Sequence, residues 1–398
     1  MTQKSLKEIF SAYSKRAELF RDRDVLTDKY MPEKPPHREE QINHIGQIVA
    51  PAIRGHKISN LFVFGNVGTG KTLVTKHVMG ELGKTTEDVK AVYINCKMKK
   101  TSDTEYRLLA ELCKVFGKNV PSTGLPTEEV YKIFYNLLNQ LDKNIILVLD
   151  EIDAIVKKIG DDILYNLTRI NQELKKTKIA ILGISNDVSF IENLDPRVKS
   201  SLSEEEIVFP PYNAIQLRDI LKQRGELAFH DNVIGSGVIE KCAALAAQEH
   251  GDARKALDLM RIAGELAERD SKSKITVEYI DKAENKLDLD KYVETVKNAP
   301  KQSKAILSAT IKLIEDGNKN IQTGDVFSVY EKICKKSGLK ILTQRRVSDL
   351  VGELDMMGIL NTSVISKGRY GRTREIKLLL DKHVLNNIKK ILVESQLL

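Results

Sequence analysis

The chain has no long apolar run. Its longest, setting alanine aside, is the five residues Ile145 to Leu149. A helix that crosses a bilayer needs about 20, so a transmembrane reading is excluded and no membrane partner is expected. The first residues, Met1-Thr2-Gln3-Lys4-Ser5-Leu6-Lys7-Glu8, have no apolar core of a secretion signal, so export is not expected. Cysteine is scarce. Cys96, Cys113, Cys242 and Cys334 are too far apart for a CxxC pair, and four thiols in 398 residues do not make a disulfide scaffold. Buried apolar thiols in a reducing cytosol are the expectation. No repeat of fixed period and no low-complexity tract is present.

Apolar residues make up 41% and charged residues 30%. That supplies several packed cores and is too apolar for a disordered chain. At roughly 150 residues per domain, two or three domains are expected. The charge is unevenly spread. Lys291 to Leu398 holds 20 basic and 11 acidic residues, a net of +9, against 43 and 44 in the first 290, a net of −1. A basic module beside a near-neutral one points to a polyanion at the C-terminal end.

Residues up to about Tyr30 are polar and highly charged, and read as a tail or marginal helix ended by Pro32, Pro35 and Pro36. Apolar strands then alternate with helices. Strands are expected at Leu61–Phe64, Ala91–Asn95, Ile145–Asp150, Ile179–Ser185 and Glu206–Phe209, and helices at Lys71–Leu82, Thr104–Phe116 and Thr127–Leu141. This pattern predicts an α/β parallel sheet with helices on both faces. Pro210-Pro211 breaks it. Four helices follow, Ala214–Arg224, Gly237–Glu249, Ala253–Arg269 and Val277–Leu287, as an all-α domain. Asp288–Pro300 is polar and reads as a linker. Three more helices, Lys301–Glu315, Gly324–Lys336 and Gln344–Met357, precede a hairpin, Ile359–Ile365 and Glu375–Leu380, and a last helix. The expected domains are 1–211 (with 1–30 as tail), 212–290 and 291–398.

The strongest signal is Gly65-Asn66-Val67-Gly68-Thr69-Gly70-Lys71-Thr72, followed by Leu73. It matches GxxxxGK[ST] between a strand and a helix. A chance match arises on the order of 1% of the time in a chain of this length. Glycines let successive backbone N–H groups turn inward around phosphate oxygens, and the helix N-terminus adds a positive dipole end. Lys71 is placed to reach the β and γ phosphates of ATP, and the Thr72 hydroxyl to coordinate Mg²⁺. The strand Ile145–Leu149 ends in Asp150-Glu151, at the carboxyl end where ligands sit in open α/β sheets. Asp150 is expected to hold the Mg²⁺ water shell, and Glu151 to orient or deprotonate an attacking water. Asn186, after the next strand, can hold that water. Arg254, at the start of a helix, can cross to the γ-phosphate.

At the other end, Val347, Leu350, Val351 and Leu354 share one helical face and pack inward. Gln344 and Arg345 point elsewhere and Arg346 flanks them, as in a recognition helix entering the major groove. The hairpin turn Lys367-Gly368-Arg369-Tyr370-Gly371-Arg372-Thr373-Arg374 carries four cations and no anion. Such a positive wing suits a narrow, electronegative minor groove.

Taken in order, Gly65 to Thr72, Asp150-Glu151, Asn186, Leu194-Asp195-Pro196-Arg197-Val198 and Gly251 to Leu257 resemble the AAA+ ATPases. More narrowly, with Phe209 to Asn213, Gln223 to Gly225 and the C-terminal winged helix, they resemble the archaeal origin-recognition/cell-division-control initiators. The likeness covers the chain from about residue 10 to the end. It implies an AAA+ base, a helical lid and a winged helix, with ATP/ADP and Mg²⁺ as cofactors and slow hydrolysis as a switch. It also implies Tyr212 and Arg224 near the nucleotide at the hinge, and Pro36, His37 and Arg38 near the adenine. Arg197 becomes the finger that touches a neighbour's γ-phosphate. The family's helical insertion that touches DNA falls here between Cys96 and Gly124, where Lys99, Lys100, Ser122 and Thr123 are the candidates. The implied partners are double-stranded origin DNA, the replicative helicase and other initiator copies on DNA, in a cytoplasmic, nucleoid-associated setting. Two rivals differ in kind: a clamp-loader-like or motor ATPase, for which Arg197 is suited, and a nucleotide-gated transcription regulator, for which no sensor domain is evident.

Overall fold

The computed structural model describes residues 18–97, 104–121, 123–202, 204–318, 320–366, 372–378 and 382–397. The chain forms two compact units, Met1–Ile280 and Asp281–Leu398.

The first unit is built on five strands: β1 (Asn60–Gly65), β2 (Val89–Asn95), β3 (Asn144–Asp150), β4 (Lys178–Ser185) and β5 (Glu204–Phe209). They pair in the order β2-β3-β4-β1-β5, and every pairing is parallel. Side chains alternate across a strand, and here both faces are covered. Phe62, Phe64, Ile145, Leu147 and Leu149 enter one core with Leu108, Leu112, Phe134 and Leu164. Leu61, Val63, Ile146 and Val148 enter the other with Ile45, Val74, Val78 and Ile207. Burial on both faces accounts for the unbroken apolar runs of β1 and β3. The strand after β1 in sequence is the far edge, β2, whereas β4 and β5 flank β1. The carboxyl end of β1 is therefore where the strand order reverses, the place for a ligand in such sheets.

Three features of this unit depart from the expectations. Residues Glu39–Val49 form a helix that the strand-and-helix reading left out, and two short helices, Ile152–Ile159 and Asp162–Arg169, lie between β3 and β4. The N-terminal residues are not all tail. Leu19, Phe20, Val25 and Leu26 are buried. Phe20 bridges to Phe229 with ring centroids 4.5 Å apart, and Gly264 is tight enough there that a Cβ would lie 2.6 Å from Phe20 Cζ. Leu19 N–H and the Arg23 guanidinium both donate to the buried Glu268 carboxylate. These partners are more than 200 residues away, so no local pattern announces them.

Helices Ala214–Ala228, Val238–Gln248 and Ala253–Arg269 follow β5. Asn213 caps the first through a reciprocal capping box with Gln216. Asp252 caps the third by accepting from Arg254 N and Lys255 N. The stretch read as a linker is mostly helix: Val277–Asn298 is continuous, and Leu289, Tyr292 and Val296 in its second half pack on the second unit's core.

The second unit packs helices Lys301–Glu315, Thr323–Ser337 and Gln344–Met356 on an antiparallel sheet of β6 (Ile321–Gln322), β8 (Arg372–Leu378) and β7 (Leu360–Ser366), in that order. Ile306, Tyr330, Val347, Leu350, Val351, Leu354 and Ile376 form its core. Arg374 of β8 donates to Ser348 O on helix Gln344–Met356, 3.1 Å. Among the described residues no helix is long and apolar enough to cross a membrane, and all four cysteines are buried.

Candidate functional site

A cavity of about 770 Å³ opens at the carboxyl ends of β1, β2 and β3. Its floor is the glycine loop after β1. Gly68 and Gly70 have φ of +74° and +89°, a left-handed backbone that disfavours a Cβ. A Cβ on Gly68 would overlap Asp252 Oδ1, and one on Gly70 would stand 2.8 Å from the Tyr212 hydroxyl. The loop is thus closely packed by the helical segment, and Ala253 N–H donates to Gly68 O at 3.3 Å.

Lys71 begins the next helix and is buried. Its ammonium donates to Gly65 O and Asn66 O, both at 2.7 Å, and to Asn186 Oδ1 at 2.9 Å. Burial pushes its pKa down to about 8, with the Asp150 carboxylate opposing and Arg254 assisting. A buried cation held by neutral oxygens is matched to an incoming phosphate. Thr72 Oγ1 donates to Asp150 Oδ2 at 3.0 Å. Among the described residues no three His, Cys, Asp or Glu side chains gather as a metal site. A hydroxyl beside one carboxylate is nonetheless a hard-oxygen pair of the kind Mg²⁺ uses, with its other positions taken by water and phosphate. The residues present therefore fit that ion.

Glu151 follows β3 with φ +55°, a left-handed conformation rare outside glycine. Its carboxylate pairs with Lys97 at 3.1 Å. Asn186 and Arg254 line the cavity, as do Val67, Leu73, Tyr212, Arg224 and Pro36. Arg224 is buried, donates to Val25 O at 3.0 Å and lies 4.1 Å over the Tyr30 ring. Three candidate residues stand elsewhere. His37 faces Asp219 at 3.3 Å. Arg38 is buried behind the loop, donates to Thr69 O and Pro210 O and stacks on Tyr212 at 3.8 Å. It ties the glycine loop to the hinge after β5. Arg197 is exposed and paired with Asp195 at 3.0 Å, on a different concavity that it shares with Lys57 and Arg169. Thr69 is buried within the loop, its hydroxyl on Asn66 O.

Several wall residues escaped the sequence reading. Thr27 to Met31 come from the supposed tail, Tyr93 and Asn95 from the end of β2, Lys76 from the helix after the loop, and Ile220 and Leu257 from the helical segment. The signal for the β2 pair was available: strands beside β1 and β3 deliver their last residues to the same crevice.

In the second unit, Gln344, Arg345 and Arg346 are exposed on the first turn of their helix, with Thr343 capping Arg346 N. The opposite face, Val347, Leu350, Val351 and Leu354, is buried. Thr123 is exposed in the first unit. Lys99, Lys100, Ser122, Lys367, Arg369 and Tyr370 lie outside the described residues, as does the side chain of Arg372.

A parallel sheet in this order, with a glycine loop after β1 and a helical lid, followed by three helices and a hairpin, defines an AAA+ ATPase with a lid and a winged-helix domain. Domain families agree: an AAA domain matches residues 55–187, a Cdc6 AAA+ ATPase-type lid domain residues 218–285, and the CDC6 C-terminal winged helix domain residues 294–387. The chain is 50% identical over 394 residues to the ORC1-type DNA replication protein of Pyrococcus furiosus, covering 97% of this chain and 93% of that one. It is 52% identical over 381 residues to ORC1-type DNA replication protein 1 of Archaeoglobus fulgidus, covering 95% and 92%. Among solved structures it is similar to the Aeropyrum pernix ORC1 protein in complex with DNA, with TM-score 0.83, 42% identity and 96% and 100% coverage. The chain belongs to the family of ORC1-type DNA replication proteins.

Proposed function

We propose that this chain initiates replication by binding origin duplex DNA, with ATP or ADP in the base–lid cavity as a slow switch. The reading has three parts: a base, 1–211, a lid, 212–290, and a winged helix, 291–398. Phosphates rest on the amides of Gly68 to Thr72 and on Lys71. Thr72 and Asp150 hold Mg²⁺, which when bound neutralises phosphate charge. Glu151 orients the attacking water and Asn186 steadies it. Arg254 brings the lid to the γ-phosphate, and Arg197 is the finger that touches the γ-phosphate of a neighbouring copy. The Lys97–Glu151 pair fits slow turnover, because Glu151 must leave Lys97 before it can serve a water. A nucleotide touching base and lid favours their closed arrangement only through its higher affinity for that state.

Origin DNA meets Gln344, Arg345 and Arg346, the wing residues Lys367, Arg369, Tyr370 and Arg372, and the segment with Lys99, Lys100, Ser122 and Thr123. The single observation that carries DNA binding is the first turn of helix Gln344–Met356. It is cationic and exposed, while the opposite face is buried. The 42% identical ORC1 of A. pernix, solved in complex with DNA, supports the same reading. The replicative helicase is the partner recruited to the origin, and further copies join on DNA.

The test is binding to an origin duplex and to a scrambled one over a salt series. Roughly six phosphate contacts give a slope of about −5 in log K against log salt. Replacing Arg345 and Arg346 by alanine is expected to erase the preference for the origin and leave nucleotide content unchanged. Equal affinity of the variant and the wild type for the origin would count against the recognition helix.

A further inference from the structure

We propose that Tyr93 is a positioning residue for the metal site: its hydroxyl turns the Asp150 carboxylate so that one oxygen is held inward and the other faces the cavity. The inference deepens the reading of this cavity as a Mg²⁺–nucleotide site and rests on it.

Tyr93 lies two residues before the end of β2, and the β2–β3 register sets it beside Val148, with Asn95 beside Asp150. From there its ring reaches the end of β3, and its hydroxyl donates to Asp150 Oδ2. Thr72 Oγ1 donates to the same oxygen at 3.0 Å. Two hydroxyls from different elements thus converge on Oδ2. Among the described residues, every side-chain hydrogen bond to this carboxylate ends there. A carboxylate offers two oxygens and about four lone-pair sites. With Oδ2 occupied, Oδ1 is the oxygen left for the water shell of a divalent cation. The ring itself is held. Lys76 Nζ stands 4.6 Å from its centroid, on the helix that follows the glycine loop. Tyr93 is therefore clamped between the phosphate-loop helix and the metal carboxylate, on the cavity wall.

Donors behind a metal ligand fix its orientation, and their loss lowers metal affinity by roughly 10–100-fold. Tyr93→Phe removes the donor alone. The ring, its packing and its contact with Lys76 all remain, so the variant is expected to fold as the wild type does.

The experiment uses the full-length protein freed of bound nucleotide, with Mn²⁺ in place of Mg²⁺ as a paramagnetic probe. Mn²⁺ affinity is measured by electron paramagnetic resonance with ADP saturating, and ADP affinity is measured separately in chelator. The expected result for Tyr93→Phe is a 10–100-fold weaker Mn²⁺ affinity, with metal-free ADP affinity unchanged. The Mg²⁺ needed for half-maximal turnover should rise. Wild-type Mn²⁺ affinity in the variant would overturn the assignment. So would an equal loss of metal-free ADP affinity, which would make Tyr93 a wall of the pocket and nothing more. A wild-type protein that binds ADP but takes up no Mn²⁺ would remove the metal site itself, and this inference with it.

Discussion

Replacing Gly68 by alanine puts the closeness of loop and lid to a quantitative test. Gly68 has φ +74°, and a Cβ there would overlap Asp252 Oδ1. Two costs follow. An L-residue in a left-handed backbone costs about 1–2 kcal/mol. Asp252 must also swing away, giving up its cap on Arg254 N and Lys255 N, which is worth about 1 kcal/mol. Together roughly 2–3 kcal/mol oppose the arrangement that binds nucleotide, a loss of about 30–150-fold in affinity. The assay is titration with a fluorescent ADP, with circular dichroism as a check on folding. A second variant, Gly68→Ala with Asp252→Ser, keeps a capping hydroxyl on a shorter side chain and should recover part of the loss. Affinity of Gly68→Ala within twofold of the wild type would refute the reasoning, because the loop would then tolerate what its geometry forbids.

Three other substitutions probe separate links. Arg38→Ala strips donors from Thr69 O and Pro210 O and leaves a buried void. Charge-assisted hydrogen bonds contribute about 1.5–3 kcal/mol each, so a lowered thermal midpoint and weaker nucleotide binding are expected; an unchanged midpoint would contradict the clamp. Glu151→Gln should retain ATP yet hydrolyse it at least about 100-fold more slowly, read as phosphate release in single turnover. Gly352→Ala sets a Cβ 2.7 Å from Arg374 Nη1. Loss of the Arg374 bond to Ser348 O should weaken DNA binding about tenfold, by about 1.4 kcal/mol, with nucleotide affinity unaffected.

What the sequence disclosed and what it hid follow from the range of the interactions. The phosphate loop is local: eight consecutive residues fix their own backbone, and β1 before them is apolar because both its faces are buried. Asp150-Glu151 was legible for the same reason, as a charged end to a buried strand. The inward face of helix Gln344–Met356 was legible from its spacing alone. By contrast, Leu19 to Leu26 look like a charged tail until Phe229 and Glu268 supply the other half of their core. The resemblance puts Arg38 beside the adenine, whereas the fold brings Thr69 O and Pro210 O to it. Helix Val277–Asn298 was cut short at its charged stretch, Asp288 to Glu294, although Leu289, Tyr292 and Val296 keep a helical spacing and pack on the second unit's core. Tyr93 looked like one more strand residue because only the β2–β3 register brings it to Asp150.

The central claim is that one nucleotide is gripped by base and lid together. Hydrogen exchange tests it most directly, in the wild type and in Lys71→Ala, with and without ADP. In the wild type, ADP should slow exchange both at the loop amides, 66–73, and at the start of the lid helix, 253–257, and neither should change in Lys71→Ala. Protection confined to the loop, with the lid helix indifferent to ADP, would contradict the account.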